Sequence, residues 1–231
     1  MLCFLVLLQE AKTQSVFSDD RYGYDKKLII LTIGDSNGAA ANGWPQQMRK
    51  LLPNSTIINK SFSGNTIGFD NLDRPELNTV KNIDRYLNEA FKEIGQQTSL
   101  DYIFIGLGTN DTKQIFVERQ TEVAENMSLI VNEIRQYMIR SHKTNPAICI
   151  ISPPPMDELK VNKEKYGGGD KRIQKINHQL KKIVIENHVD FLDTYTSLKK
   201  GFSDKTDDGV HLNEKAQFQI AVEIVKYLKS K

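Results

Sequence analysis

Leu28-Ile29-Ile30-Leu31-Thr32-Ile33-Gly34-Asp35-Ser36-Asn37 is an apolar, β-branched run that stops at a glycine, an acid and a hydroxyl. Leu28 to Ile33 has the length and continuity of a strand buried on both faces, as in a parallel sheet. Gly34-Asp35-Ser36 then marks a sharp turn into a helix, with glycine for the backbone and aspartate or serine as the cap. Ser36 is thereby placed at the carboxyl end of a buried strand, where open α/β sheets bind ligands.

The same pattern repeats outward from this stretch. Thr56 to Asn59, Tyr102 to Gly106, Ala147 to Ile151 and Val189 to Leu192 are short apolar runs, expected as four further strands buried on both faces. Between them lie segments of helical period. Ala124, Met127, Val131, Ile134 and Met138 share one face, as do Ile173, Ile176, Leu180, Ile183 and Val184, and again Ala216, Ile220, Ile224 and Leu228. Asn213 is placed to cap the last helix, and shorter helices are expected over Trp44 to Leu52 and Val80 to Ile94. Alternating strands and helices predict an α/β fold with a parallel sheet covered on both faces. In the winding 2-1-3-4-5, the loops after strands one, two and three converge on one crevice.

Those loops carry chemistry: Ser36 follows strand one, Ser63-Gly64-Asn65 follows strand two, and Gly108-Thr109-Asn110-Asp111 follows strand three. A fourth cluster, Asp208-Gly209-Val210-His211, lies in the long connection Thr194 to Leu212; Ser152 to Asp170 is similarly long, and both are expected to be site-bearing loops. A serine hydroxyl becomes a nucleophile when an imidazole takes its proton and a carboxylate orients that imidazole, roles open to Ser36, His211 and Asp208. The Ser36 and Gly64 backbones and the Asn110 amide are candidate donors for a developing oxyanion, each good donor being worth about 3 kcal/mol. The His211 loop must cross three strand spacings, about 14 Å, which nearly twenty residues cover with ease. Taken singly, each cluster is an ordinary turn; their joint occurrence in order is what points to hydrolysis. Asp35 and Asp111 are assigned to turn support, and Trp44, Tyr166 and Phe202 are left outside the site as packing aromatics.

The four blocks resemble those of the SGNH hydrolases, also called GDSL-type esterases and lipases. Gly34-Asp35-Ser36 matches the nucleophile block, Gly64 the glycine block, Gly108-Thr109-Asn110-Asp111 the asparagine block and Asp208-Gly209-Val210-His211 the acid and base. The resemblance implies a flavodoxin-like three-layer α/β/α sandwich with a five-stranded parallel sheet in the order 2-1-3-4-5. It also implies Ser36 as nucleophile, His211 as base, Asp208 as its orienter, and an oxyanion hole built from Ser36, Gly64 and Asn110. Asn37 departs from the leucine in the family's common name, which bears on subgroup and substrate rather than on the chemistry. The expected activity is hydrolysis of carboxylic esters through an acyl-Ser36 intermediate, on short-chain (acetyl) esters of an alcohol or sugar. A lysophospholipase or thioesterase of the same family, and a non-catalytic glycan-binding module on the same fold, are the alternatives.

Composition narrows the rest. With 31 basic and 29 acidic residues among 231, the net charge is +2 and no basic stripe appears, so nucleic acid is not an expected partner. His142, His178, His188 and His211 lack zinc-site spacing, and the two cysteines, Cys3 and Cys149, form no disulfide framework. Neither metal nor cofactor is expected, and the oligomeric state is left open. The glycines at 34, 38 and 43 fit no phosphate-binding loop. Residues 28–231 read as one catalytic domain, preceded by an apolar and polar segment over 1–27. Its run from Met1 to Leu8 is too short to span a bilayer, and no stable membrane insertion is expected. If that run is a signal peptide the protein is exported, periplasmic or extracellular; otherwise it is cytoplasmic. No lysine or arginine precedes it and no small-x-small site follows.

Overall fold

The apolar run before Ser36 forms β1 (Ile29–Gly34), hydrogen-bonded in parallel to β2 (Thr56–Asn59) on one side and β3 (Tyr102–Gly106) on the other. This computed structural model describes residues 24–231, so Cys3, the Met1 to Leu8 run and the export reading lie outside the described residues. β4 (Ala147–Ile151) pairs with β3 and β5 (Asp190–Leu192) with β4, giving a parallel five-stranded sheet in the order 2-1-3-4-5.

Strand periodicity divides the core into two layers. Leu31, Ile33, Ile58, Ile103, Ile105, Ile148 and Ile150 face one side, against α3 (Thr79–Ile94), α4 (Glu122–Arg140) and α6 (Gly169–Glu186). Ile30, Ile57, Phe104, Cys149 and Ile151 face the other, against α2 (Trp44–Leu51) and α8 (Glu214–Lys229). This is the flavodoxin-like three-layer sandwich. The predicted helical faces are the buried ones, although Ala124 is only half-buried and Val123, Ile130 and Tyr137 complete the α4 stripe. Asn213 caps α8 by accepting from the Ala216 N–H at 3.1 Å.

Three expectations are corrected. β5, at one edge of the sheet, is half-buried rather than buried on both faces. It also starts at Asp190, since the Val189 N–H turns back to the Val184 carbonyl at the end of α6 instead of joining the ladder. The two long connections are not open loops. Ser152 to Asp170 contains α5 (Lys163–Tyr166) and the start of α6, while Thr194 to Leu212 contains α7 (Thr194–Lys199) and a 3₁₀ turn at Phe202–Lys205. Trp44 and Phe202 are core side chains of the α2/α8 layer.

Phe104, on the central strand, is fully buried with its ring edge-on to Tyr227 at 5.8 Å. Phe104→Ala is expected to destabilise the fold by about 3–5 kcal/mol in urea unfolding. A loss below about 1 kcal/mol would contradict this packing.

Candidate active site

Ser36 opens α1 (Ser36–Ala39), a single turn whose cap is Asp35. The buried Asp35 carboxylate accepts from the Asn37 N–H at 2.9 Å, and its carbonyl accepts from Gly38 and Ala39. That is the turn-supporting role expected of it. Burial pushes the Asp35 carboxyl up, against its bond from Asn37 and the attraction of His211. Ser36 itself is half-buried, with its hydroxyl available at the rim.

His211 reaches that hydroxyl: Nε2 lies 3.1 Å from Ser36 Oγ, and Nδ1 lies 2.5 Å from Asp208 Oδ2. The Asp208 carboxylate also accepts from the backbone N–H groups of Val210 (2.9 Å) and His211 (2.7 Å). Burial opposes its ionisation, yet these bonds outweigh burial and hold the carboxyl down at about 2. Gly209, between the two, adopts φ +85°, and a Cβ there would stand 2.7 Å from the Asp157 carbonyl oxygen. Only glycine fits the turn that aims both side chains the same way.

His211 is exposed, so its neighbours must hold it. Val210 is buried among Met156, Val161, Tyr166 and Ile173, and Leu212 is buried in the α2/α8 layer. The departure at Asn37 has its explanation here. Its Oδ1 accepts from the Leu212 N–H (2.8 Å) and from Gln217 Nε2 (3.2 Å), and its Nδ2 donates to the Val210 carbonyl (3.5 Å). Asn37, the residue after Ser36, therefore clasps the chain on both sides of His211.

The candidate donors lie across the rim. Gly64 has φ +88°, and its carbonyl is held by Asn71 Nδ2 at 2.6 Å. The Asn110 amide is fixed at both ends, with Nδ2 donating to the Asn65 carbonyl (3.0 Å) and Oδ1 accepting from Tyr166 Oη (3.2 Å). An amide nitrogen carries two hydrogens, so one remains for a ligand. Asn65 ties the blocks together, since its Nδ2 donates to the Gly34 carbonyl at 3.2 Å and its Oδ1 accepts from Tyr86 at 3.4 Å. Asp111 is buried, accepts from the Ile67 N–H at 3.0 Å, and is pushed up to about 7 by burial.

Tyr166, expected as a packing aromatic, packs beside Val210 and is also a hydrogen-bond partner of Asn110. Several polar residues on the same loops serve structure. Lys60 pairs with Glu89 and Glu93, Glu158 accepts from the Gly168 and Asp170 N–H groups, and Asp157 accepts from Leu159. Among the described residues no group of three or more His, Cys, Asp or Glu side chains is placed to hold a metal, and no helix is long and apolar enough to cross a membrane.

A model of the GDSL-like lipase/acylhydrolase family matches residues 22–217. The chain belongs to that family. It is therefore a GDSL-like hydrolase acting on ester bonds. Solved structures share the fold at low identity. A carbohydrate acetylesterase from Sinorhizobium meliloti is 21% identical, with TM-score 0.71 over 88% of this chain and 99% of that one. An aryl esterase from M. smegmatis is 20% identical, with TM-score 0.72 over 89% and 99%. A lipase/acylhydrolase from Enterococcus faecalis is 16% identical, with TM-score 0.63 over 88% and 96%. No curated protein sequence matches the chain.

In this GDSL-like hydrolase, Asn37→Ala leaves the buried Leu212 N–H and the Gln217 amide without their shared acceptor. The expected loss is about 1–3 kcal/mol of stability, read from urea unfolding. A loss under about 0.5 kcal/mol would show that the clasp carries no load.

Proposed function

We propose that the protein is a serine esterase that removes short acyl groups, acetyl foremost, from an alcohol or sugar. The observation that carries this reading is the position of His211, 3.1 Å from Ser36 Oγ and 2.5 Å from Asp208 Oδ2. Ser36 Oγ attacks the ester carbonyl while His211 Nε2 takes the hydroxyl proton, and Asp208 stabilises the imidazolium so formed. The charge that develops on the carbonyl oxygen is met by the N–H groups of Ser36 and Gly64 and by the Asn110 amide. His211 then gives its proton to the leaving alcohol. Water, activated by the same imidazole, attacks acyl-Ser36, releases the acid and restores the serine.

Two considerations support a short acyl group. The donor loops are backed by buried polar side chains, Asn65, Asn71, Asn110 and Lys113, in place of apolar ones. Among fold neighbours, the Sinorhizobium meliloti protein is named a carbohydrate acetylesterase and the M. smegmatis protein an aryl esterase.

The test uses p-nitrophenyl esters of increasing chain length. Ser36→Ala and His211→Ala are each expected to lower kcat by about 10⁴-fold or more, with acetate turned over faster than octanoate in the wild type. Undiminished turnover in Ser36→Ala would overturn the mechanism; faster turnover of octanoate would overturn only the short-chain claim.

A further inference from the structure

Lys113 lies just beyond the Asn110 turn, buried behind the donor loops. Buried lysines usually pair with a carboxylate, because an uncompensated ammonium in a dry site is costly. Among the described residues this one has no ion pair; its Nζ donates to Asn71 Oδ1 at 2.8 Å. Asn71 is fully buried and passes the contact on, its Nδ2 donating to the Gly64 carbonyl at 2.6 Å. A Cβ on Gly64 would stand 3.1 Å from that same nitrogen, so the amide is seated directly against the glycine. On its other side, the Lys113 ammonium lies 6.0 Å from the centroid of the Tyr166 ring, within reach of a cation–π contact. Tyr166 Oη in turn donates to Asn110 Oδ1 at 3.2 Å.

One buried cation thus hydrogen-bonds the residue that holds Gly64 and faces, at 6.0 Å, the ring of the residue that holds Asn110. We propose that Lys113 is the shared positioning residue of the oxyanion hole: its ammonium braces Asn71 against Gly64 and Tyr166 against Asn110, and supplies fixed positive charge behind the oxygen that becomes negative. This rests on the esterase reading, in which Gly64 and Asn110 are donors. Preorganised charge of this kind acts only as the transition state forms, so it raises kcat more than it lowers KM.

The charged groups around the ammonium are Lys165, whose Nζ lies 5.3 Å from the same Tyr166 ring, and the buried carboxyls of Asp111 and Asp35. Burial first, then repulsion from Lys165, pushes the Lys113 ammonium down to about 8, against the attraction of Asp111 and Asp35. The charged form therefore prevails below about pH 8 and is lost as pH rises through it. Activity should decline with that loss. Burial pushes Asp111 up to about 7, and its charge interacts with that of Lys113; the two are separated because the Asp111 carboxyl is present in every variant, whereas the loss of positive charge at residue 113 is absent from Lys113→Met and Lys113→Arg.

The experiment measures kcat and KM on p-nitrophenyl acetate from pH 6 to 9.5 for wild type, Lys113→Met, Lys113→Arg and Ser36→Ala. Lys113→Met should lower kcat by about 10-fold or more, leave KM within about twofold, and abolish the decline near pH 8. Lys113→Arg, charged throughout this range, should recover most of kcat and hold it to the alkaline end. Urea unfolding of each variant verifies the fold; should Lys113→Met not fold, the Arg profile decides. The proposal is overturned by wild-type kcat in Lys113→Met, by an unchanged decline near pH 8 in either variant, or by equal losses of kcat in Met and Arg. Absence of Ser36-dependent turnover in the wild type would instead overturn the esterase reading, and the role of Lys113 with it.

Discussion

The hydrogen bond from the Leu212 N–H to Asn37 Oδ1, 2.8 Å long, joins segments 175 residues apart in the chain. The arrangement of the site depends on it. Ser36 is fixed by the sheet, because it follows a strand that is paired on both sides. His211 has no such support: it is exposed, on a segment that arrives from the edge strand β5. An imidazole placed even 1 Å away from its partner hydroxyl forfeits much of its value as a base. Asn37 removes that freedom by holding Val210 and Leu212 on either side, while their side chains sink into two separate apolar clusters.

Across the rim the same logic is repeated with different residues. Gly64 and Asn110 stand on loops after different strands; the last backbone bond from the Gly64 loop to β1 is the Phe62 N–H to the Gly34 carbonyl, and β3 ends at Gly106. Side-chain amides supply the missing rigidity. Asn65 ties the Gly34 carbonyl to Asn110, Asn71 seats the Gly64 carbonyl, and Tyr166 fixes the orientation of the Asn110 amide. Each of these groups is buried, where a hydrogen bond left unmade costs more than the bond contributes when made. The network is therefore either complete or expensive, which favours one geometry.

What the sequence disclosed, and what it withheld, follows the range of the interactions. β1, β3 and β4 were plain because strands buried on both faces need continuous apolar runs, and the helices because their stripes repeat at a fixed period. Edges were harder. Val189 to Leu192 reads as one more short strand buried on both faces, yet β5 keeps only Asp190 to Leu192, lies at one edge of the sheet and is half-buried. The blocks containing Ser36, Gly64, Asn110, Asp208 and His211 could be located because each is a local cluster with an identifiable chemistry. Asn37 and Tyr166 could not be assigned, since an amide and a phenol disclose nothing until their partners, 173 to 175 and 56 residues away, are placed beside them. The long connections misled for a related reason: α5 and α7 are single short helices held by tertiary contacts, too brief for a periodic signal.

The central claim is that Ser36, His211 and Asp208 act together on an ester whose oxygen faces Gly64 and Asn110. Its most direct test is a crystal structure of the protein after reaction with diethyl p-nitrophenyl phosphate, which traps a tetrahedral phosphoryl group on an activated serine. The account predicts phosphorus bonded to Ser36 Oγ, with one phosphoryl oxygen about 3 Å from the Ser36 and Gly64 N–H groups and from Asn110 Nδ2. An unmodified Ser36, or an adduct whose oxygen turns away from Gly64 and Asn110, would contradict it.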